Sequence, residues 1–169
     1  MNLSEALTVD LENKTHLARL ELIWDGNCIP DDLGREKKVV KNLQPSKHLK
    51  DLSIYNYGGT QLPSWLSTLN VVSMSLEKCK YCFLLPPFGV QLFLKKLRIR
   101  MFDGTVSIGV DFYGSIFSSF TSLETLELSD MKEWEKWECQ ATAFSRLQNL
   151  CLSRCPKLKA LSEQLLQVK

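Results

Sequence analysis

The 169-residue sequence has no apolar run near the ~18 residues needed to cross a bilayer, and its charge is almost balanced. Twenty-one basic residues stand against nineteen acidic ones, a net charge of +2. A nucleic-acid binder carries a basic stripe, so that class is set aside. Histidine occurs only twice, at His16 and His48. No cluster of imidazoles is therefore available for a metal or a relay. A phosphate-cradling G-x-x-x-x-G-K-[ST] loop is missing, and so is a secretory leader. Residues 1–11 hold Glu5 and Asp10 among their apolar positions and lack a basic start. Without export, the six cysteines (Cys28, Cys79, Cys82, Cys139, Cys151, Cys155) are expected to be thiols in a cytoplasmic protein.

What is present is a repeat. The pattern L-x-x-L-x-L-x-x-N/C marks a leucine-rich unit of roughly 20 to 29 residues, and it fits six times. The frame runs Leu17, Leu20, Leu22; Leu49, Leu52, Ile54; Val71, Met74, Leu76; Leu94, Leu97, Ile99; Leu123, Leu126, Leu128; and Leu147, Leu150, Leu152. Successive starts differ by 32, 22, 23, 29 and 24 residues. The first interval is too long for one unit and implies an insertion over 25–45. That insertion reads as a polar loop, Asp25 to Gly34, then a short amphipathic helix, Arg35 to Leu43. Residues 1–16 read as a helical lead-in and 17–169 as the repeat domain.

Alternation within each unit sets the fold. Positions 4 and 6 point inward, the residues between them face solvent, and position 1 turns inward just before the strand. One unit cannot bury its apolar side alone, so units stack on their neighbours. The expected architecture is an α/β repeat: a curved leucine-rich repeat solenoid with a parallel β-sheet on the concave face and irregular convex return segments. Position 9 favours small Asn or Cys, and Cys79 and Cys155 occupy it. Asp25, Tyr57, Phe102 and Met131 fit it poorly, which predicts an irregular ladder. Apolar anchors of the returns include Leu62, Trp65, Leu66, Val106, Ile108, Phe112, Trp134 and Trp137.

No catalytic, cofactor-binding or metal-binding residue is assigned. Cys79-Lys80-Tyr81-Cys82 has the spacing of a redox or zinc pair, yet its only counterpart, Cys151 and Cys155, is distant and differently spaced. A structural role is the simpler reading. Candidate partner-binding residues lie at the outward positions: Trp24, Lys50, Asp51, Tyr55, Lys95, Lys96, Arg98, Arg100, Glu124, Glu127, Asp130 and Arg154. Trp24, at position 8, reads either as packing or as an exposed anchor. The fourth strand is basic and the fifth acidic. The two strips either neutralise one another laterally or steer a charged partner.

The strings LKDLSIYNYGGTQLPSWL, VVSMSLEKCKYCFLLPPFG, LKKLRIRMFDGTVSIGVDFYG, FTSLETLELSDMKEWEKWEC and LQNLCLSRCPKLKAL span most of the chain. They resemble the leucine-rich repeat region of plant coiled-coil nucleotide-binding disease-resistance proteins. The resemblance implies a protein-interaction module in defence against pathogens. Its partner would be a pathogen effector, a guarded host protein or the receptor's own nucleotide-binding module. No nucleotide binding is assigned to these residues. Two alternatives share the architecture: the substrate-recognition repeats of a ubiquitin ligase, and an orphan or truncated repeat protein with no signalling of its own. Fold alone does not separate them.

Overall fold

A computed structural model of the chain describes residues 9–25, 38–114, 119–138 and 143–159. Eight strands occur there: β1 (Arg19–Ile23), β2 (Asp51–Tyr55), β3 (Ser73–Glu77), β4 (Lys96–Arg100), β5 (Ser107–Ile108), β6 (Thr125–Ser129), β7 (Lys136–Trp137) and β8 (Asn149–Ser153). Six of them form one parallel sheet in the order β1-β2-β3-β4-β6-β8. Each occupies positions 3 to 7 of a unit, and neighbours pair without any shift. Leu52 lies opposite Met74, Met74 opposite Leu97, and Leu97 opposite Leu126. The chain is thus the leucine-rich repeat solenoid that its periodicity calls for.

Alternation explains the burial. In β4, Leu97 and Ile99 are buried while Lys96 and Arg98 are exposed. The position-1 residues Leu49, Val71, Leu94 and Leu123 are buried beneath them. At the two ends the stack is looser: Leu17, Leu20, Leu147, Leu150 and Leu152 are only partly buried. Full burial of such a side chain contributes about 1.5–3 kcal/mol, so the central units hold the fold most firmly.

Each strand ends in the same local geometry. Position 8 of the second to sixth units lies in the left-handed backbone region, at Asn56, Lys78, Met101, Asp130 and Arg154, with φ of 52 to 58°. The N–H groups of Trp24, Asn56, Lys78, Met101 and Asp130 each donate to a position-7 carbonyl of the following unit, at 2.9–3.1 Å. This bond extends the ladder by one rung, and the left-handed residue then turns the chain off the sheet.

Position 9 departs from the sequence expectation. Tyr57, Phe102 and Met131, which fit the Asn/Cys pattern poorly, are fully buried. The site is filled by volume: Phe102 and Met131 bring no polar group, and the Tyr57 hydroxyl donates to the Gln61 carbonyl at 3.1 Å. Asp25, in the first unit, remains exposed.

The returns are short 3-10 turns at Ser64–Thr68, Phe88–Val90 and Val110–Phe112, plus the two-residue parallel pair β5–β7. Buried polar side chains tie each return to the preceding unit. Trp65 Nε1 donates to the Val40 carbonyl (3.0 Å), Gln91 Nε2 to Leu66 (2.6 Å) and Thr105 Oγ1 to Cys82 (3.1 Å). Beyond them Phe88, Phe112, Tyr113, Phe120 and Phe144 form a run of ring contacts 5.0–6.1 Å apart. Gly89 admits this run: a Cβ there would sit 2.2 Å from the Tyr113 carbonyl oxygen.

Of the lead-in at 1–16, residues 1–8 lie outside the described residues, and the remainder is helical only over a single 3-10 turn, Leu11–Asn13. Most of the loop Asp25 to Gly34 and the start of the following helix also lie outside. Residues 38–41 are helical, and Val39, Val40 and Leu43 are buried. No described helix is long and apolar enough to cross a membrane.

Candidate partner-binding face

The pleat directs five positions of each unit away from the core, namely 2, 3, 5, 7 and 8. Because the register is unshifted, each position forms a row across the sheet. Position 2 carries Lys50, Lys95 and Glu124. Position 3 carries Arg19, Asp51 and Lys96, and position 5 carries Arg98 and Glu127. Position 7 carries Tyr55, Glu77 and Arg100, and position 8 carries Trp24, Asp130 and Arg154. The unshifted strands thus bring all twelve sequence-derived candidates onto one face.

The strips meet as ion pairs. Lys95 Nζ lies 2.9 Å from Glu124, and Arg98 Nε donates to Glu127 Oε2 at 2.7 Å. Arg100 stands between two carboxylates, with Nη1 3.7 Å from Glu77 and Nη2 3.5 Å from Asp130. Its buried Nε has no hydrogen-bond partner among the described residues. Arg154 Nη2 donates to Asp130 Oδ2 at 2.8 Å. Glu77, Arg100, Asp130 and Arg154 therefore form an alternating chain of charge over β3, β4, β6 and β8. Ser129, next to Asp130 in sequence, sits at an outward position yet is buried. Arg19 reaches Asp51 at 3.9 Å.

Charge is shifted accordingly. The Arg154 hydrogen bond, helped by Arg100, holds the Asp130 carboxyl below its ordinary value despite some desolvation, and Asp130 in turn raises Arg154. Exposed pairs of this kind contribute only about 0–1 kcal/mol each. The lateral reading of the two strips is thus realised for Lys95, Arg98 and Arg100. Lys96 faces Thr125 across the ladder, and Lys50 extends from the second unit; both are exposed.

Trp24 is half-buried, its ring edge-on to Tyr57 with centroids 5.2 Å apart. It combines packing with a remaining exposed edge. Two residues outside the sequence-derived candidates also belong to this face, Glu77 and Lys78, with Met101 beside them at the outward position its spacing predicts. Placing the position-7 and position-8 columns side by side brings them to notice.

Several of the remaining cysteines and tryptophans are buried. Cys79 and Cys82 are buried thiols, the latter with its sulfur 3.1 Å from the Gly59 carbonyl. Burial pushes the Cys155 thiol up, away from reactivity. His16 and His48 are exposed beside position 1 of their units. Trp65, Trp134 and Trp137 are buried in the returns. Cys28 and Cys139 lie outside the described residues, among which no group of three or more His, Cys, Asp or Glu could hold a metal ion.

A parallel sheet of unshifted leucine-rich units with one open polar face defines a leucine-rich repeat protein. More narrowly, the chain belongs to the R13L1/DRL21 leucine-rich repeats, whose family pattern matches residues 1–102. It is 33% identical over 173 residues to a putative disease resistance protein of Arabidopsis thaliana, covering 92% of this chain and 12% of that protein. It is 32% identical over 125 residues to the putative disease resistance RPP13-like protein 1 of the same plant, covering 68% and 12%. The putative disease resistance protein RGA4 of Solanum bulbocastanum is 36% identical over 94 residues, covering 54% and 10%. The chain therefore spans about an eighth of the length of the first two relatives. It resembles a repeat segment of these plant disease resistance proteins. No solved structure matches it.

Proposed function

We propose that the chain is a non-catalytic protein-recognition and autoregulatory module of an intracellular plant immune receptor. The observation that carries this reading is the continuous open face of six in-register strands, on a chain whose relatives are named as disease resistance proteins. Five outward positions on each strand approach the roughly 20–30 residues that one side of a stable protein interface engages. Rigid strands also hold those side chains at little entropic cost. The partner is a pathogen effector, a guarded host protein or the receptor's own nucleotide-binding module. Cofactors, metal ions, nucleic acid, small molecules and membrane insertion have no part in this reading, and the module works in the cytoplasm. Residues 17–169 act as one repeat domain behind a lead-in at 1–16, with 25–45 as an insertion. The relatives' names favour this reading over a ubiquitin-ligase repeat domain.

The test is direct binding between this chain and the nucleotide-binding module of a matching receptor, followed by biolayer interferometry. The Lys95→Glu/Lys96→Glu/Arg98→Glu variant sets three anions beside Glu124 and Glu127 and should change affinity at least tenfold with an unaltered circular dichroism spectrum. Unchanged affinity and spectrum would reduce the basic strand to a solvated face. Failure of the unmodified chain to bind would contradict the autoregulatory role.

A further inference from the structure

The cations of the face fall into two sets. Lys95, Arg98, Arg100 and Arg154 each face a carboxylate. At the carboxyl ends of β2, β3 and β4 the pattern changes. A pocket of about 310 Å³ opens there between the position-8 turns of three consecutive units, walled by Asn56, Lys78, Lys80, Tyr81 and Met101 together with Tyr57 and Gly58. Lys78 and Lys80 are both exposed, and no lining residue carries a carboxylate. Neither lysine forms an ion pair among the described residues.

The rim is held in place. Asn56, Lys78 and Met101 all have left-handed backbone, which fixes where their side chains leave the sheet. The Asn56 amide is anchored by donating to the Trp24 carbonyl at 3.1 Å. Tyr81 keeps 45% of its surface exposed, an aromatic flank beside two ammonium groups. Amphipathic aromatics at low entropic cost are favoured anchors in protein contacts.

From this arrangement we propose that the pocket seats an acidic side chain, Asp or Glu, of a protein partner laid along the open face, with a neighbouring apolar residue against Tyr81. The proposal rests on the protein-recognition reading and adds a partner chemistry and a place to it. Charge complementarity selects the occupant. Two point-charge ammoniums without an intervening anion attract a carboxylate. Along the rest of the face Lys95, Arg98, Arg100 and Arg154 are paired and, among the described residues, only Lys50 and Lys96 are not, which leaves no continuous basic track for a nucleic-acid backbone. At about 310 Å³ the pocket lies at the lower limit for whole small ligands, so charge rather than volume selects the occupant. The pocket is also continuous with the recognition face, because Lys78 and Met101 belong to the position-8 row that ends in Asp130 and Arg154.

The test uses a hexapeptide with two Glu flanking a Phe, its Gln-for-Glu counterpart and inorganic phosphate. Each is titrated into the full chain carrying a ¹⁵N label and followed by amide chemical shifts. The Glu peptide should bind saturably and move the signals of Asn56, Lys78, Tyr81 and Met101 most. The Gln peptide should bind at least tenfold more weakly. Lys78→Glu/Lys80→Glu should abolish the shifts, Tyr81→Ala should weaken binding severalfold, and Lys136→Glu on β7 should change affinity less than twofold. No saturable binding, or shifts centred on β4, would overturn the pocket while leaving the recognition reading intact. Equal loss on Lys136→Glu, or phosphate binding with the peptide's affinity, would overturn it too, showing diffuse charge or a simple anion site. If the peptide binds as expected and the receptor module does not, the recognition reading needs a different partner and the pocket stands.

Discussion

At the scale of single residues, position 8 governs the open face. Its left-handed backbone carries Asn, Lys, Met, Asp and Arg, and only Asn and Asp accept that region readily. No residue preference in the sequence marks it, and the ladder bond alone does not set it, since Trp24 makes that bond without a positive φ. Asp130 shows how charge rides on this geometry. Arg154 and Arg100 hold its carboxyl below the ordinary value, so its folded pKa lies under its unfolded one. Stability from this group is therefore fully present above the unfolded value of about 3.9 and lost as pH falls through the folded value. Asp130→Asn keeps a residue that tolerates the left-handed region. Its urea midpoint should lie below that of the unmodified chain at pH 7, and the gap should close as pH falls below about 4. A gap that persists unchanged at pH 2–3 would show that the carboxylate charge contributes nothing.

At the scale of elements, the inward columns decide stability and the outward columns decide contact. Leu97 is 1% exposed between two packed neighbours, whereas Leu150 lies in the last described strand and is only partly buried. Leu97→Ala should cost about 2–5 kcal/mol, within the range for a leucine truncated in a closed core. Leu150→Ala should cost less than half as much. Urea denaturation monitored by circular dichroism measures both, and equal losses would contradict a stack that is tightest at its centre. This division was legible from the frame alone, because an alternation of period two tells the two faces apart. The pairing of the charged strips was legible too, once both strands were placed on one register. The fate of position 9 was not. A pattern of small residues says nothing of the room behind it, and Tyr57, Phe102 and Met131 fill that room with bulk.

At the scale of the whole molecule, the repeat makes neighbours of residues 22 to 32 positions apart, so contacts that look remote in sequence are adjacent in space. Glu77 meets Arg100, and Arg100 meets Asp130, by this rule. The pocket at Lys78 and Lys80 escaped the sequence reading for a related reason. Lys80 and Tyr81 lie beyond the regular motif, and only the turn that follows β3 brings them to the rim. The most direct test of recognition by the open face places one bulky charge on each side of the solenoid in a full-length receptor carrying this segment. Ser75→Arg lies at position 5 of β3, and Val106→Arg lies on the exposed return beside β5. Leaf cell-death signalling is then compared at matched protein levels. Ser75→Arg should change signalling severalfold in either direction, while Val106→Arg leaves it within twofold of the unmodified receptor. The opposite pattern, with Val106→Arg altering signalling and Ser75→Arg silent, would contradict recognition through the open face.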